Sequence, residues 1–350
     1  MKIAVLVSGG VDSSVALALL QQQGYEVVPF YLKIWLEDEL SFLGECPWSE
    51  DLEAAQSVCK QLGLELQIVS LQQEYKDTII RYIIDDIKGG RTPNPDILCN
   101  TFIKFGAFLE KHGAEFDKVA TGHYAGLIFK DECYFLKRTP DEIKDQTYFL
   151  ARLSQEQLAK SLFPLADFSK KEVRALAQEF NLANKDRKDS QGLCFLGKIK
   201  FRDFIRAHVG IKQGTLLEHE TGKVMGLHEG FWFYTIGQRQ GLGLAGGPWY
   251  VVDKAPETNT VFISKQYYDE EKIRDTFIIL DVMGDLQLYV GKQILVKIRH
   301  GKQLYNAMLE RTKDGFFLVR LSERDQGIAP GQFAVFYDGL ICVGSGVIGK

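Results

Sequence analysis

The sequence predicts an α/β fold for its first part and β structure for the rest. Before about residue 208, apolar strand-like runs alternate with amphipathic helical runs, a pattern typical of a parallel sheet that helices cover on both faces. After that point, short apolar runs recur with glycines between them, as in small β domains. A Gly9-Gly10 turn after the first strand predicts a ligand site at the carboxyl edge of the sheet. We therefore expect a parallel-sheet domain over residues 1–205, a small β-rich adaptor domain over 206–272 and a β-barrel over 273–350.

The elements of the first part follow one another in a regular order. The hydrophobic pattern predicts strands over 3–7, 27–32, 66–70 and 118–121, and helices over 15–23, 49–62 and 73–88. A further amphipathic helical pattern extends from 153 to 181, with Ser169 as an expected N-cap within it.

The second part is expected to consist of strands joined by glycine-containing turns. Its predicted strands cover 231–236 and 249–253 around a glycine-rich loop, and 294–298, 316–321 and 333–337 in the barrel.

Length and composition restrict the class of protein. A chain of 350 residues is longer than one hydrophobic core usually organises, so two or three domains are expected. Its 45% hydrophobic and 25% charged residues are typical of a soluble globular protein. Met1 leads directly into the first strand, and no apolar run reaches the roughly 20 residues that a membrane span requires. We expect a cytoplasmic protein without a membrane partner. Its six cysteines are too few for a disulfide scaffold, so a special cysteine is expected to have a chemical role.

The charge distribution is uneven although the formal net charge is only −4. Residues 185–206 hold seven Lys/Arg and three Asp, which gives +4, and residues 292–313 hold six Lys/Arg and one Glu, which gives +5. Two basic islands on an acidic body are typical of a protein with a localised nucleic-acid site. Solvated faces produce similar runs, so the charge pattern alone leaves both interpretations open.

The first turn has the sequence Ser-Gly-Gly-Val-Asp-Ser-Ser over residues 8–14. Consecutive glycines let the backbone approach a ligand, so that its N–H groups and the helix N-terminus can converge on phosphate. Neither the Gly-x4-Gly-Lys-Ser/Thr nor the Gly-x-Gly-x-x-Gly spacing is present. The turn resembles the signature of the PP-loop ATP pyrophosphatases, which have an adenine nucleotide alpha hydrolase-like sheet and cleave ATP to AMP and pyrophosphate. The alternative is an ordinary turn capped by Asp12 or Ser13.

Two cysteines and an aspartate lie in polar segments that are expected to be loops. Residues 89–100 contain two glycines and two prolines, which predicts a stiff loop ending in Asp96 and Cys99. Cys194 follows Gly192 in a second such segment, where nearby lysines can favour the thiolate. The alternatives are that Cys99 and Cys194 are ordinary buried small side chains and that Asp96 caps a turn or a helix. Zinc is poorly supported, because no Cys-x2-Cys or His-x3-His pair exists; an iron–sulfur corner of Asp96, Cys99 and Cys194 stays open.

Five segments carry a resemblance that extends over essentially the whole chain. Residues 90–100, 121–124, 144–150, 188–195 and 235–239 resemble, in this order, the motifs of the bacterial tRNA-specific 2-thiouridylase family. The resemblance implies ATP-dependent 2-thiolation of the wobble uridine, position 34, of tRNA. In that family ATP adenylates the C2 oxygen, sulfur arrives from a cysteine persulfide, and the products are 2-thiouridine, AMP and pyrophosphate.

The same resemblance implies the roles of individual residues. Cys194 would carry the persulfide, Cys99 would attack it and leave a Cys99–Cys194 disulfide, and Asp96 would act as acid or base. A sulfur-donor protein and Mg2+ on the ATP phosphates are implied as well. Leu32 stands where relatives have methionine, which is a mild change for an apolar contact. The ATP-binding positions would be Leu6, Val7, Ser8, Gly9, Gly10, Val11, Asp12, Ser13, Leu32 and Gly122.

The resemblance also implies contacts with RNA. Two other functional classes are the alternatives. A PP-loop amide ligase would not need the two cysteines, and a non-enzymatic RNA-binding protein would not need an intact nucleotide loop. The tRNA-binding positions would be Asn94, Pro95, Asp96, His123, Lys144, Asp145, Gln146, Arg299, His300 and Gln332.

Overall fold

The structure, a computed structural model, describes residues 1–34, 48–188, 200–266, 274–325 and 327–349. Its first part is built on a five-stranded sheet in which every pairing is parallel, in the order β3-β2-β1-β4-β7. The predicted parallel sheet is therefore confirmed, and β1 lies at its centre with apolar residues on both faces. The strands are β1 (Lys2–Leu6), β2 (Glu26–Lys33), β3 (Gln67–Ser70), β4 (Lys118–Thr121) and β7 (Ser161–Leu162).

The helices of this part cover the sheet, and two pairs of them are joined by π-helical stretches. Lys76–Ile80 joins α3 to α4, and Cys99–Ala107 joins α5 to α6. The helices are α1 (Val11–Gln22), α2 (Trp48–Gln61), α3 (Gln72–Tyr75), α4 (Arg81–Lys88), α5 (Pro95–Leu98), α6 (Phe108–His112), α7 (Thr147–Leu150), α8 (Gln155–Lys160), α9 (Lys170–Glu179) and α10 (Phe201–Val209).

The prediction of a single helical element over 153–181 is wrong. It contains α8, the short strand β7 and α9. Ser169 caps α9 as predicted, because its hydroxyl accepts from Glu172 N while the Glu172 carboxylate accepts from Ser169 N, a reciprocal capping box. The expected domain boundary at residue 205 falls inside α10, which continues to Val209.

The central part is a four-stranded sheet in the order β10-β11-β8-β9, with β11 and β8 parallel. The strand predicted over 231–236 is wrong: Phe231–Phe233 forms a 3-10 turn, which buries Phe231 and Tyr234 against Trp249. The strand predicted over 249–253 is confirmed. The strands are β8 (Gly214–Glu218), β9 (Val224–His228), β10 (Tyr250–Ala255) and β11 (Thr260–Ser264).

The last part is a β-barrel, as predicted. Its strands follow the order β12-β15-β14-β13-β16-β17, and pairing between β12 and β17 closes the barrel. The interior is filled by buried apolar side chains such as Val296, Leu309 and Phe336. The strands are β12 (Thr276–Met283), β13 (Gln293–Lys297), β14 (Tyr305–Arg311), β15 (Phe317–Leu321), β16 (Phe333–Asp338) and β17 (Ile341–Ile348).

The barrel and the first part are connected by a shared sheet edge and a shared core. A hairpin that the sequence analysis did not predict, β5 (Gly126–Lys130) and β6 (Cys133–Lys137), pairs with β17 through Lys137 and Ile341. Tyr337 of the barrel and Tyr148 of α7 belong to one apolar core. Among the described residues, no helix is both long enough and apolar enough to cross a membrane.

Candidate nucleotide and RNA site

The glycine turn after β1 is held in a conformation that other residues would not fit. Gly9 has φ +78°, and a Cβ there would lie 2.2 Å from the carbonyl oxygen of Asp51. Gly122, just after β4, packs against the start of α1, where a Cβ would lie 2.6 Å from Ser13 N. The ends of β1 and β4 and the first turn of α1 therefore meet at one edge of the sheet.

Serine side chains fix the inner side of this turn. Ser13 Oγ donates to Gly10 O at 3.1 Å and accepts from Ser8 N at 3.1 Å, while Ser14 Oγ donates to Gly10 O at 3.0 Å. Carbonyl oxygens are thus occupied within the loop, and the N-terminus of α1 presents the N–H groups and dipole that favour an anion. Leu32 lies two residues beyond Phe30, the partner of Leu6, and so at the same edge.

Three residues that the sequence analysis did not single out also hold the loop. Asn184 Nδ2 donates to Gly9 O at 2.8 Å and to Ser14 Oγ at 2.9 Å, and Arg187 donates to Gly9 O at 3.0 Å. Lys170 Nζ lies 2.7 Å from Asp12 Oδ1. Asn184 is buried, and in the described part of the chain its Oδ1 has no hydrogen-bond partner. No short motif marks these residues, because each is distant in sequence from the loop that it contacts.

The segment with Asp96 and Cys99 is helical, and the expectation of a loop there is wrong. Asn94 is the N-cap of α5 and accepts from Ile97 N, and Pro95 occupies the first turn, where a missing N–H costs nothing. Cys99 is 2% exposed at the start of the π-helical stretch. Cys194, the other predicted catalytic cysteine, lies outside the described residues.

Lys104 influences the predicted acid–base residue Asp96 and the predicted RNA contact His123. Burial raises the pKa of the Asp96 carboxyl, and the Lys104 charge partly opposes that shift. Burial and the Lys104 charge hold the pKa of His123 well below its usual 6.5, so its imidazole is neutral near pH 7. His123 Nδ1 is 2.8 Å from Thr121 Oγ1. The structure thus relates Asp96 and His123 through a lysine that sequence reasoning missed.

The loop before α5 is attached to the barrel. Gln332, in the turn before β16, donates to Thr92 O and Pro93 O, both at 3.1 Å, and its Oε1 accepts from Asn94 Nδ2 at 3.3 Å. Pro330 O accepts from Thr92 N at 2.8 Å. Two predicted RNA contacts, Asn94 and Gln332, are therefore brought together although they are far apart in sequence.

Asp145 departs from the expectation of an RNA contact. Its side chain is fully buried, with Oδ2 2.8 Å from Lys297 Nζ and Oδ1 accepting from Thr147 Oγ1 at 2.9 Å. RNA has no access to this carboxylate in the structure. The flanking Lys144 and Gln146 are half-buried and lie at the surface.

His300 and Arg299 follow β13 near the same segment. The His300 ring packs on Phe149 with ring centroids 4.5 Å apart, and burial together with the charges of Lys297 and Lys144 lowers its pKa. Arg299 forms two hydrogen bonds with the Asp325 carboxylate, at 3.0 and 2.5 Å. Fewer charges of the basic islands are therefore available to phosphates than their number predicts. Residues of both islands pair within the chain: Arg187 with Asp51, Arg202 and Arg206 with Glu229, Lys297 with Asp145, and Arg299 with Asp325.

The described residues contain no group of three His, Cys, Asp or Glu side chains that could hold a metal ion. The iron–sulfur corner considered from the sequence includes Cys194, which lies outside those residues, so that alternative stays open.

A parallel sheet with this glycine turn at its carboxyl edge defines an α/β nucleotide-binding protein of the HUP class, here joined to two β-rich parts. Family profiles match residues 1–198 ("tRNA methyl transferase HUP domain"), 202–265 ("tRNA methyl transferase PRC-barrel domain") and 289–348 ("Aminomethyltransferase beta-barrel domain"). Relatives that are 42–45% identical over 99% or more of the chain are named tRNA-specific 2-thiouridylases, so the chain belongs to that family.

Full-length relatives carry that name. The chain is 44% identical to tRNA-specific 2-thiouridylase MnmA of Parabacteroides distasonis and 45% identical to MnmA 1 of Bacteroides thetaiotaomicron, and in both cases 99% of each chain is covered. Among solved structures, a 4-thiouridine synthetase in complex with RNA and ATP is 17% identical with a TM-score of 0.36, covering 60% of this chain and 50% of the other.

Proposed function

We propose that this protein is a tRNA-uridine 2-sulfurtransferase that uses ATP to replace the C2 oxygen of the wobble uridine by sulfur. The observation that supports it most is that Leu6, just before the glycine turn, and Ile97, next to Asp96, belong to one apolar core in a chain of this family. The Asn94–Gln332 hydrogen bond lies at the start of the helix that carries Asp96. The substrate is then a tRNA, and the products are 2-thiouridine, AMP and pyrophosphate.

Activation of the uridine is the first task, because a carbonyl oxygen is a poor leaving group. The turn from Ser8 to Ser13 would bind the ATP phosphates with its N–H groups, and the C2 oxygen would attack the α-phosphorus with loss of pyrophosphate. Mg2+ would accompany the phosphates. Among the described residues, Tyr124 OH and Lys170 Nζ both contact Asp12 through Oδ1, so Oδ2 is the oxygen that this residue would offer to the ion.

Sulfur transfer is the second task, and its bonds balance with two cysteines and a thiol reductant. The terminal sulfur of a Cys194 persulfide attacks C2, and AMP leaves with the former C2 oxygen. The Cys99 thiolate then attacks the Cys194 sulfur, so that the S–S bond breaks and its electron pair remains on the thiouridine. A Cys99–Cys194 disulfide results, and a reductant returns both thiols. A separate donor protein would supply the persulfide sulfur.

Asp96 and His123 would handle protons and orient the base. A buried carboxylate with a raised pKa is suited to accept a proton near neutral pH. A neutral His123, held by Thr121, would contact the uridine by hydrogen bonding rather than by charge. We place this reaction in the cytoplasm, where reducing conditions maintain the thiols.

The decisive experiment is thiolation of unmodified tRNA by the purified protein. The protein is incubated without oxygen with ATP, Mg2+ and a persulfide donor, and the digested RNA is analysed by mass spectrometry. We expect 2-thiouridine from the wild type and from a Cys133→Ser control, whose cysteine lies in the β6 hairpin strand. Cys99→Ser and Cys194→Ser should form no 2-thiouridine.

Each contrary result has a definite meaning. AMP formation without thiouridine would support activation by ATP and would return attention to the iron–sulfur alternative. Absence of tRNA-stimulated AMP formation would remove the proposed function.

A further inference from the structure

The buried ion pair of Asp145 and Lys297 lies between the barrel and the segment that includes Lys144 and Gln146. Lys297 ends β13, and its Nζ is 2.8 Å from Asp145 Oδ2, with both side chains 0% exposed. Arg138 Nε lies 3.4 Å from the same oxygen. Buried charges are expensive unless they are paired, so the position of Asp145 is tied to that of the barrel strand.

The other carboxylate oxygen of Asp145 fixes the local backbone. Oδ1 accepts from Thr147 N at 3.3 Å and from Thr147 Oγ1 at 2.9 Å, and the same hydroxyl is 3.1 Å from Tyr337 OH of the barrel. Residues 145–147 are therefore held from both sides. Lys144 and Gln146, the partly exposed neighbours of Asp145, are held with them.

A second set of hydrogen bonds continues from Gln146 to the nucleotide loop. Gln146 N donates to Tyr124 O at 2.8 Å, and Gln146 Oε1 accepts from Tyr124 N at 3.0 Å. Tyr124 OH donates to Asp12 Oδ1 at 2.9 Å. A continuous series of polar contacts thus extends from β13 of the barrel to the first turn of α1.

We infer that Lys297, Asp145, Gln146 and Tyr124 form a positioning relay that couples RNA contact at the barrel to the geometry of Asp12 in the nucleotide loop. This inference rests on the proposed function, since it assumes that RNA and ATP bind to the same protein. RNA that contacts Lys144 or His300 acts on a segment whose position also determines that of Tyr124. By linkage, ATP must then affect tRNA affinity by the same factor as tRNA affects ATP affinity.

Packing alone does not require these polar groups. An apolar pair of similar volume would fill the space of Asp145 and Lys297 without the desolvation of two charges. The Tyr124 ring is buried, but the Asp12 carboxylate that its hydroxyl contacts is partly exposed and would be solvated without it. The polar atoms lie in series between two sites, which favours a positioning role over a purely structural one.

The relay is tested by the affinity for an ATP analogue with a methylene group between the α- and β-phosphates. Its Kd is measured by calorimetry with and without saturating tRNA, in the wild type, in Tyr124→Phe and in a Tyr289→Phe control on the barrel surface. We expect tRNA to tighten analogue binding by about fivefold or more in the wild type and the control. In Tyr124→Phe the ratio of the analogue Kd without tRNA to the Kd with tRNA should fall to about one, while the analogue still binds in the absence of tRNA.

A second variant tests the barrel end of the relay. Asp145→Asn/Lys297→Met removes both charges with little change in volume, and the same loss of coupling is expected. If circular dichroism shows that this variant does not fold, Tyr124→Phe still decides the question. A wild-type ratio of one, or an unchanged ratio in Tyr124→Phe, would overturn the inference. Thiolation is assayed separately, so a protein with intact coupling and no thiouridine product would lose the proposed function but retain the relay.

Discussion

Asn94 and Gln332 are separated by 238 positions in sequence, and the Asn94 amide donates to Gln332 Oε1 at 3.3 Å. Gln332 in turn donates to two carbonyl oxygens of the segment that leads into α5. A barrel side chain therefore orders the backbone that presents Asp96. The pairing gives the barrel a direct role in the geometry of the candidate reaction site.

Replacement of Gln332 by alanine should weaken the use of tRNA. Three hydrogen bonds are lost, each contributing about 1 kcal/mol, and of the contacts described above only the Thr92 N to Pro330 O bond still attaches residues 92–94 to the barrel. We expect KM for tRNA to rise by about tenfold, which corresponds to about 1.4 kcal/mol, with the Kd for ATP unchanged. Steady-state thiolation kinetics measure this effect. Gln287→Ala, which removes a barrel side chain bonded to Arg311, is the control; an equal effect in both variants would contradict the assignment.

The pH dependence of thiolation should have an acidic limb set by Asp96. A base must be ionised, and burial raises the pKa of this carboxyl, so the rate should fall with decreasing pH at a higher pH than for an ordinary aspartate. Asp96→Asn should reduce kcat by about 10²-fold or more and abolish the limb. Rates at saturating tRNA and ATP across pH measure both effects.

Lys104 provides a matched test of that interpretation. Its charge lowers the pKa of Asp96, so Lys104→Met should raise this pKa and move the acidic limb to higher pH. The control is Lys111→Met, because Lys111 follows Lys104 on the same helical segment but is paired with Glu74. This variant should leave the acidic limb in place. An unchanged profile in Lys104→Met would mean that a different group limits the rate.

A methyl group at Gly122 should damage the nucleotide site. The added Cβ would lie 2.6 Å from Ser13 N and 2.8 Å from the carbonyl carbon of Asp12, both of which are backbone atoms that cannot turn away. We expect Gly122→Ala to weaken ATP binding by about tenfold or more, or about 1.4 kcal/mol, as measured by calorimetry. Gly226→Ala, in β9 of the central sheet, is the control for an added methyl group, because its φ is not positive and the nearest atom would be Leu244 Cδ2 at 3.4 Å. Normal ATP binding by Gly122→Ala would show that the nucleotide site does not need close packing of residue 122 against the first turn of α1.

Loss of the Asp145 charge should destabilise the whole fold. Asp145→Asn leaves Lys297 charged and buried, which costs about 3–5 kcal/mol in the free energy of unfolding. Glu310→Gln breaks an exposed pair with Arg320 and should cost at most about 1 kcal/mol. Urea unfolding of the two variants separates these values. Similar losses in both would show that Asp145 is solvated in solution.

Local patterns were sufficient for much of the fold. Apolar runs predicted β1 of the sheet and β16 of the barrel, because burial on both faces leaves a continuous signal. The glycine turn was recognisable because its spacing is itself the chemical requirement. The α5 region differs from the prediction: its glycines and prolines favour a loop, whereas the N-cap asparagine before Pro95 makes this proline the start of a helix.

Long-range partners explain what the sequence did not reveal. Asp145 belongs to a motif that indicates RNA contact, but its burial depends on Lys297, which is 152 residues away. Asn184 and Lys170 contact the nucleotide loop from similarly distant positions. The pairing within the β5–β6 hairpin is local, but its attachment to the barrel depends on β17, at the other end of the chain. No periodicity within one segment contains this information.

The pairing of β6 with β17 limits how this protein can be shortened. An isolated nucleotide-binding part would carry a hairpin whose outer edge has lost its neighbour, and aromatic side chains such as Tyr148 would lose the barrel residues that cover them. Open strand edges and uncovered apolar surface promote aggregation. An engineer who wants a compact catalyst from this protein must therefore redesign the hairpin and the exposed face together, since the barrel is not an appendage that can simply be removed.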